Sequence, residues 1–294
     1  MTTTTTGPVG TGARHGAGRP GATRRAGTAA AYRWEITKLA ALLRTRVVLA
    51  ACLVVPPIVV LVLEGQVPPA DTLYGRYVHD SGYAVPLLLL GFATQWVFPL
   101  LTSLVAGDIF ASEDHLGTWK TVLTRSVSRG RLFWAKTLAA TTFAVAVLVV
   151  LAASTIVSSV VLVGAQPLVG LTGQLIPSGR ALGLVVASWA LALPPLIGFT
   201  ALAILLSVRT RNPAVGVIGP VVLGFAMALI GSIGGIGLLR RAMLTTPLES
   251  WHGLFTAHPF HGPLVQGLVV AAVWTVACLF SAYTSLRRRD ITGG

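Results

Sequence analysis

Long apolar runs separated by short polar connections dominate the sequence. A bilayer has a hydrocarbon core about 30 Å thick, so roughly 20 apolar residues are needed to cross it as a helix. Six stretches meet this requirement, at about residues 47–63, 84–106, 132–163, 181–208, 214–238 and 264–286. The third is longer than one crossing needs, and we expect its first turns, with Trp134 and Lys136, to tilt or to project from the membrane. The pattern predicts an all-α membrane protein with six transmembrane helices.

The composition excludes a water-soluble globule. Hydrophobic residues make up 54% of the chain and charged residues 11%, whereas soluble domains are roughly a quarter charged. The net charge of +13 does not indicate nucleic-acid binding, because the basic residues lie between apolar runs and not in one patch with interleaved aromatic residues. The expected surroundings are a lipid bilayer, with no nucleic-acid partner.

The distribution of Lys and Arg predicts the orientation. Eighteen of the 22 lie before the first span, after the last, or in the second and fourth connections. Basic residues accumulate on the cytoplasmic side, so both termini are expected in the cytoplasm (N-in/C-in) of a multi-pass plasma-membrane protein. Residues 1–30 have no signal-peptide core and are expected to form a disordered basic cytoplasmic tail. Residues 31–287 then form one membrane domain, and residues 288–294 a second tail.

The segment before the first span reads YRWEITKLAALLRTR over residues 32–46. Trp34 and Leu39 recur near helical spacing, and basic residues are placed to meet lipid phosphates. These features favour an amphipathic helix on the inner leaflet. The alternative is that the segment is only the solvated start of the first transmembrane helix.

The second connection is the segment most suited to bind a partner. Ser112 is placed to cap a helix whose first turn contains Glu113 and Asp114, which the helix dipole favours. One face of this helix is apolar and its end is basic; the residues concerned are Leu116, Trp119, Val122 and Leu123, then Arg125, Arg129 and Arg131. Such a helix could insert into a groove of a soluble protein or rest on lipid headgroups.

Two motifs make the chain similar to a known family. The first begins with an acidic residue at the end of the second span and comprises Asp108, Glu113, Gly117, Thr118, Leu123, Ser128, Arg129 and Lys136. The second, before the first span, comprises Glu35, Lys38 and Leu39. Over about residues 33–287 the chain resembles the permease subunits of type-2 ABC exporters, although Ser126 stands where many members have proline.

The resemblance implies an ATP-driven exporter in which the 108–131 loop is the coupling helix that contacts a separate ATPase. The implied contact residues are Asp108, Glu113, Gly117, Thr118, Trp119, Leu123, Arg125 and Arg129. Glu113 or Asp114 is expected to pair with a basic residue of the ATPase, and Gly117 to permit close backbone approach. The implied assembly has two ATPase subunits and two permeases, as a homodimer or with a paralogue.

The chain itself is not expected to be an enzyme. It contains no GxxxxGK[ST] segment, so a P-loop, and with it ATP and Mg²⁺, is expected on the partner. No catalytic or metal site is expected, since His252, His258 and His261 with Glu249 match no standard metal-ligand spacing. An intramembrane enzyme would need clustered ionisable residues, which are missing from the spans. The remaining alternative is a non-transporting scaffold or immunity protein with the same fold.

Overall fold

The computed structural model describes residues 2–3, 27–67, 71–115, 117, 128–233 and 237–288. Within these residues, six helical segments are long and apolar enough to cross a membrane. The prediction of an all-α protein with six transmembrane helices is therefore confirmed. The two predicted tails lie almost wholly outside the described residues.

Two helices precede the first connection. Helix α1 spans Thr28–Ala41 and α2 spans Leu43–Glu64. They are separated at Leu42, whose ψ of 130° is extended. The predicted helix over residues 32–46 is therefore wrong at its end, because the extended backbone of Leu42 starts a new helix and assigns residues 43–46 to the first span.

The second span is built from three consecutive pieces. Helix α3 covers Ala84–Phe92, a π-helix covers Ala93–Val97, and α4 covers Phe98–Ala106. Phe98 N–H bonds to the Ala93 carbonyl, five residues earlier. Pro99 in the first turn of α4 has no N–H to donate. Helical turns continue past α4, so the short helix α5, Ala111–His115, begins before Ser112, and the predicted capping role of Ser112 is wrong.

The third and fourth spans differ from the predicted lengths. Helix α6 runs Arg129–Leu162 and leads to a hairpin of two short strands, β1 (Leu168–Val169) and β2 (Leu175–Ile176). The fourth span is two helices, α7 (Ser178–Leu191) and α8 (Leu193–Thr210). Together the two helices form the candidate span Ser178–Thr210, which includes the predicted residues 181–208. They are separated at Ala192, because Pro194 and Pro195 lack the N–H groups that would bond to the last turn of α7.

The last two spans are joined by a folded connection. Helix α9 covers Pro213–Ser232 and ends before an extended Ile233, so the fifth span does not continue to residue 238 as predicted. Helix α10 (Gly237–Ala242) and a 3₁₀ segment (Thr246–Phe255) follow, and α11 (Gly262–Arg287) is the sixth span.

The helices pack around two main clusters of buried residues, one at each end of the bundle. The cluster near the chain's N-terminal helix includes Leu39, Phe110 and Phe133. The cluster at the opposite end, which we call the distal end, includes Tyr74, Trp251 and Phe255. Side chains of α2, α9 and α11 form a largely exposed apolar surface, as expected for helices that meet lipid or another membrane subunit.

Helices α4 and α9 touch backbone to backbone where α4 ends. A Cβ atom built on Gly107 would lie 2.2 Å from the carbonyl carbon of Gly216, and one on Gly216 would lie 2.1 Å from the Gly107 carbonyl oxygen. Only glycine permits this approach. The crossing fixes the position of the segment that follows α4.

Candidate coupling site

The face of helix α1 that packs on the bundle contains an acidic residue. Its buried residues are Glu35 and Leu39, whereas Trp34 is 67% exposed. Glu35 and Leu39 are four residues apart and so lie on one face, which packs on α6. A carboxylate is therefore buried at a helix contact and needs a cationic partner.

Lys136, on α6, supplies that partner. Its side chain is fully buried, and its Nζ lies 3.1 Å from Glu35 Oε1 and 3.2 Å from Glu113 Oε1. The ring of Phe110 is 6.0 Å from the same nitrogen. One ammonium thus joins α1, α5 and α6. Removing one member of such a buried cluster leaves an uncompensated charge, which costs about 3–5 kcal/mol.

Glu113 is shared by two lysines. Lys38 Nζ, from α1, lies 2.7 Å from Glu113 Oε1, the same oxygen that Lys136 contacts. The Glu113 side chain is 7% exposed and that of Lys38 is 46% exposed. With Glu35 and Lys136 they form a cluster of two carboxylates and two ammonium groups without net charge, which we call the four-residue ion cluster.

Further contacts fix the chain on both sides of Phe110. Arg44, at the start of α2, forms an ion pair with Asp108. Ser207 Oγ, on α8, accepts hydrogen bonds from the backbone N–H groups of Phe110 and Ala111, at 3.3 and 3.0 Å. We call residues 107–115 the anchored segment, since side chains of α1, α2, α6 and α8 and the backbone of α9 hold it.

The structure describes four of the eight predicted site residues. Asp108 and Glu113 both lie in the anchored segment. Gly117 has a φ of +65°, and nothing lies within 4 Å of its Cβ position, so glycine is favoured there by the left-handed backbone. Arg129 is the first residue of α6. The others, Thr118, Trp119, Leu123 and Arg125, lie outside the described residues, as does most of the predicted coupling helix.

Glu113 has partners within its own chain. Its carboxylate is buried and bound by Lys38 and Lys136, so it is placed to position the loop. The pairing of Glu113 or Asp114 with a basic residue of the ATPase stays a prediction. Sequence reasoning did not identify Ser207. It assigned the basic residues before the first span, including Lys38 and Arg44, to lipid phosphates, and it did not predict that Lys136 is buried between carboxylates.

A signal for the cluster was present in the sequence. The chain has nine acidic residues, and Glu35, Asp108 and Glu113 all fall at the same end of the predicted spans. Acidic residues this close to apolar runs need basic partners.

Comparison with protein families gives a further finding: the model described as ABC-2 family transporter protein matches residues 33–231.

The chain belongs to the ABC-2 transporter family. The match covers more than half of the chain, from α1 through most of α9, and therefore includes the anchored segment and every member of the four-residue ion cluster. A comparison with curated proteins found no match. Membership and the six apolar helical segments together make the chain a multi-pass membrane protein with a transport role.

Proposed function

We propose that this ABC-2 family protein is the transmembrane permease subunit of an ATP-driven exporter and is driven by a separate ATPase through residues 108–131. Family membership supports the permease role. The observation that carries the coupling role is the burial of Lys136 between Glu35 and Glu113. Through these contacts, a displacement of the loop would be passed to α1 and α6 together.

The proposed mechanism assigns separate tasks to the two parts of the loop. Trp119 and Leu123 would enter an apolar groove of the ATPase, with Arg125 and Arg129 as a basic flank. Gly117, with its positive φ, would turn the chain between this contact and the anchored segment. Closure of two ATPase subunits on ATP and Mg²⁺ would then move the anchored segments of two permeases, paired as a homodimer or with a paralogue.

The energy source of the proposed exporter must be external to this chain. The chain has no P-loop motif, and its buried ionisable cluster is neutral and internally paired. Transporters driven by protons use ionisable residues at membrane depth. In the described part of the chain, the buried carboxylates of the ion cluster are bound by lysines, which supports ATP hydrolysis by a partner over proton coupling.

Co-purification from the native membrane tests this proposal. We would compare the detergent-solubilised wild type with a Trp119→Ala, Arg125→Ala double variant, and identify bound proteins by mass spectrometry. The matched control is Trp134→Ala with Arg131→Ala, which changes the same residue types on α6. Each aromatic or arginine anchor typically contributes about 2 kcal/mol or more to an interface, so we expect at least about thirtyfold weaker binding of the ATPase to the test variant.

Two results would contradict the proposal. Recovery of no P-loop ATPase with the wild type would favour a non-transporting scaffold or immunity protein. Equal loss of the ATPase in the test and control variants would show that the 118–125 region is not the specific contact.

A further inference from the structure

The ends of α8 and α11 form a basic surface that the ion cluster does not use. Arg209 is in the last turn of α8 and Arg287 in the last turn of α11, and Arg211 and Arg288 follow directly after the two helices. All four residues are exposed. Within the described part of the chain, none of them forms an ion pair with a carboxylate. We call these four arginines the basic corner.

Arg209 is held in place by hydroxyl groups. Its Nη2 donates a hydrogen bond to Ser281 Oγ at 2.9 Å, and its Nε donates one to Ser285 Oγ at 3.4 Å. The two serines lie one turn apart on α11, so the guanidinium is fixed against that helix. Hydroxyl groups do not neutralise its charge, and a guanidinium has five N–H donors, so further donors remain for an anionic acceptor.

Apolar surface lies next to the basic corner. The candidate spans Ser178–Thr210 and Gly262–Arg287 both end here. Phe280, which directly precedes Ser281, is 68% exposed and lies seven residues, or about two turns, before the end of α11. Exposed apolar side chains of a span meet lipid tails. A molecule bound at the corner would therefore meet positive charge and apolar surface at adjacent depths.

Aromatic rings place the corner at the level of the lipid headgroups. Trp134 of α6 is 46% exposed, and its ring centroid lies 6.3 Å from that of Tyr283. The guanidinium carbon of Arg287 lies 5.7 Å from the centroid of the Tyr283 ring. Tryptophan and tyrosine are enriched where the hydrocarbon of a bilayer meets its headgroups. The arginines are thus within reach of lipid phosphates.

Two general effects explain basic residues at this end without explaining the serines. Positive charge at the cytoplasmic ends of spans sets the orientation of the chain, and cations are favoured at the C-terminus of a helix by its dipole. Both effects need only the charge. Neither requires that Ser281 and Ser285 fix the direction of the Arg209 guanidinium, whereas planar recognition of a phosphate does.

We propose that the basic corner binds the phosphate of an anionic phospholipid from the leaflet at this end of the bundle, which is the cytoplasmic leaflet in the predicted orientation. Arg209 is the principal phosphate ligand, and Arg288 assists it, since it follows Ser281 and Ser285 on the same face of α11. The acyl chains lie along the surface that contains Phe280. Because Ser207 of α8 binds the anchored segment, the lipid would join α8 to α11 close to that contact.

Native mass spectrometry of the detergent-solubilised full-length protein tests the site. The probe is palmitoyl-oleoyl-phosphatidylglycerol, compared with phosphatidylcholine that has the same acyl chains. We expect the first bound lipid to be phosphatidylglycerol, and Arg209→Gln to bind it about tenfold more weakly, since hydrogen bonds to charged groups are strong. The control is Arg33→Gln, an exposed arginine of α1, which removes the same charge and should change the affinity less than twofold.

A variant that keeps every charge separates a built site from general attraction. Ser281→Ala with Ser285→Ala leaves all arginines in place and removes the two acceptors that orient Arg209. We expect phosphatidylglycerol to bind several times more weakly to this variant. The control is Thr275→Ala, which removes an α11 hydroxyl that bonds within its own helix and should bind as the wild type does.

Four results would overturn the inference. They are equal retention of the two lipids, equal effects of Arg209→Gln and Arg33→Gln, no effect of the double serine variant, and displacement of the lipid by glycerol 3-phosphate at equal concentration, which would indicate a site for soluble phosphates. The inference requires no ATPase. If an ATPase co-purifies but phosphatidylglycerol is not preferred, only the lipid site is wrong, and if the lipid binds while no ATPase is recovered, only the exporter proposal is wrong.

Discussion

At the scale of single residues, Lys136 organises the end of the bundle at which α1 packs. Its ammonium is fully buried between carboxylates of α1 and α5. A buried charge costs several kcal/mol to desolvate, so such a group persists only where several contacts hold it. These contacts therefore hold the anchored segment to α1 and α6.

Replacement of Lys136 by Met is expected to destabilise the protein by about 3–5 kcal/mol, because the buried carboxylates of Glu35 and Glu113 would both lose the ammonium group that lies between them. Arg131→Met, on an exposed turn of the same helix, is the control and should change stability by less than about 0.5 kcal/mol. Denaturant unfolding in detergent measures both. Equal stabilities of the two variants would show that the cluster does not hold α1 and α5 on α6.

The sequence indicated the charged residues of this site but not their partners. Lys136 was expected to project with the first turns of the third span, since an isolated lysine in an apolar run is usually placed near water. Its burial depends on Glu35, one hundred and one positions away, and on Glu113. Contacts this distant follow from packing and have no periodic signature in the chain.

At the scale of elements, the second span and the segment after it unite the two regions of interest. The π-helix Ala93–Val97 lines two cavities at the distal end, and α4 leads directly to the anchored segment. The Gly107–Gly216 crossing sets where α4 ends against α9. A change in the backbone hydrogen bonding of this span would therefore move residues at both ends of the bundle.

Substitution of Gly216 by Ala is expected to separate α4 from α9 and to lower the melting temperature, because the added Cβ would meet the Gly107 carbonyl oxygen at 2.1 Å. The overpacking cost is about 1–3 kcal/mol or more. Gly183→Ala, in α7, is the matched control, since nothing lies within 4 Å of its Cβ position. That variant should be stabilised by about 0.5–1 kcal/mol, and a decrease in both would contradict the role of the crossing.

The ends of the helices could be predicted where the composition of the sequence changes. They could not be predicted where only the backbone conformation changes. The second span runs over the predicted residues 84–106, but its π-helical turn is invisible in an apolar pattern. The prolines at 194 and 195 predicted a distortion, and the two helices of the fourth span are separated at Ala192, whose backbone stays in the right-handed helical region. The extended Leu42 lies inside a helix-favouring sequence, so tertiary contacts of α1 override local preference.

At the scale of the whole molecule, the four-residue ion cluster and the distal end of the bundle are expected on opposite sides of the membrane. The positive-inside distribution predicts that α1 and the coupling loop are cytoplasmic. The two ends are joined by long helices, above all α6, which runs from Arg129 beside the ion cluster to Leu162 at the distal end. This geometry suits a permease in which events at a cytoplasmic loop alter the other end of the bundle.

Cysteine labelling tests that orientation. In a background with Cys52→Ala and Cys278→Ala, we expect a membrane-impermeant maleimide to label Leu175→Cys, an exposed distal position, in intact cells. Arg131→Cys should react only after permeabilisation, because it would face the cytoplasm. The reverse pattern would place the anchored segment outside and contradict the proposed coupling.

The most direct measurement of the central claim is photo-cross-linking at position 119 in the native membrane. Trp119 would be replaced by p-benzoylphenylalanine, with Val161, an exposed position near the distal end of α6, replaced in a matched control. We expect a covalent adduct with a P-loop ATPase from position 119 and none from position 161. No ATPase adduct from position 119, or equal adducts from both positions, would contradict coupling through this loop.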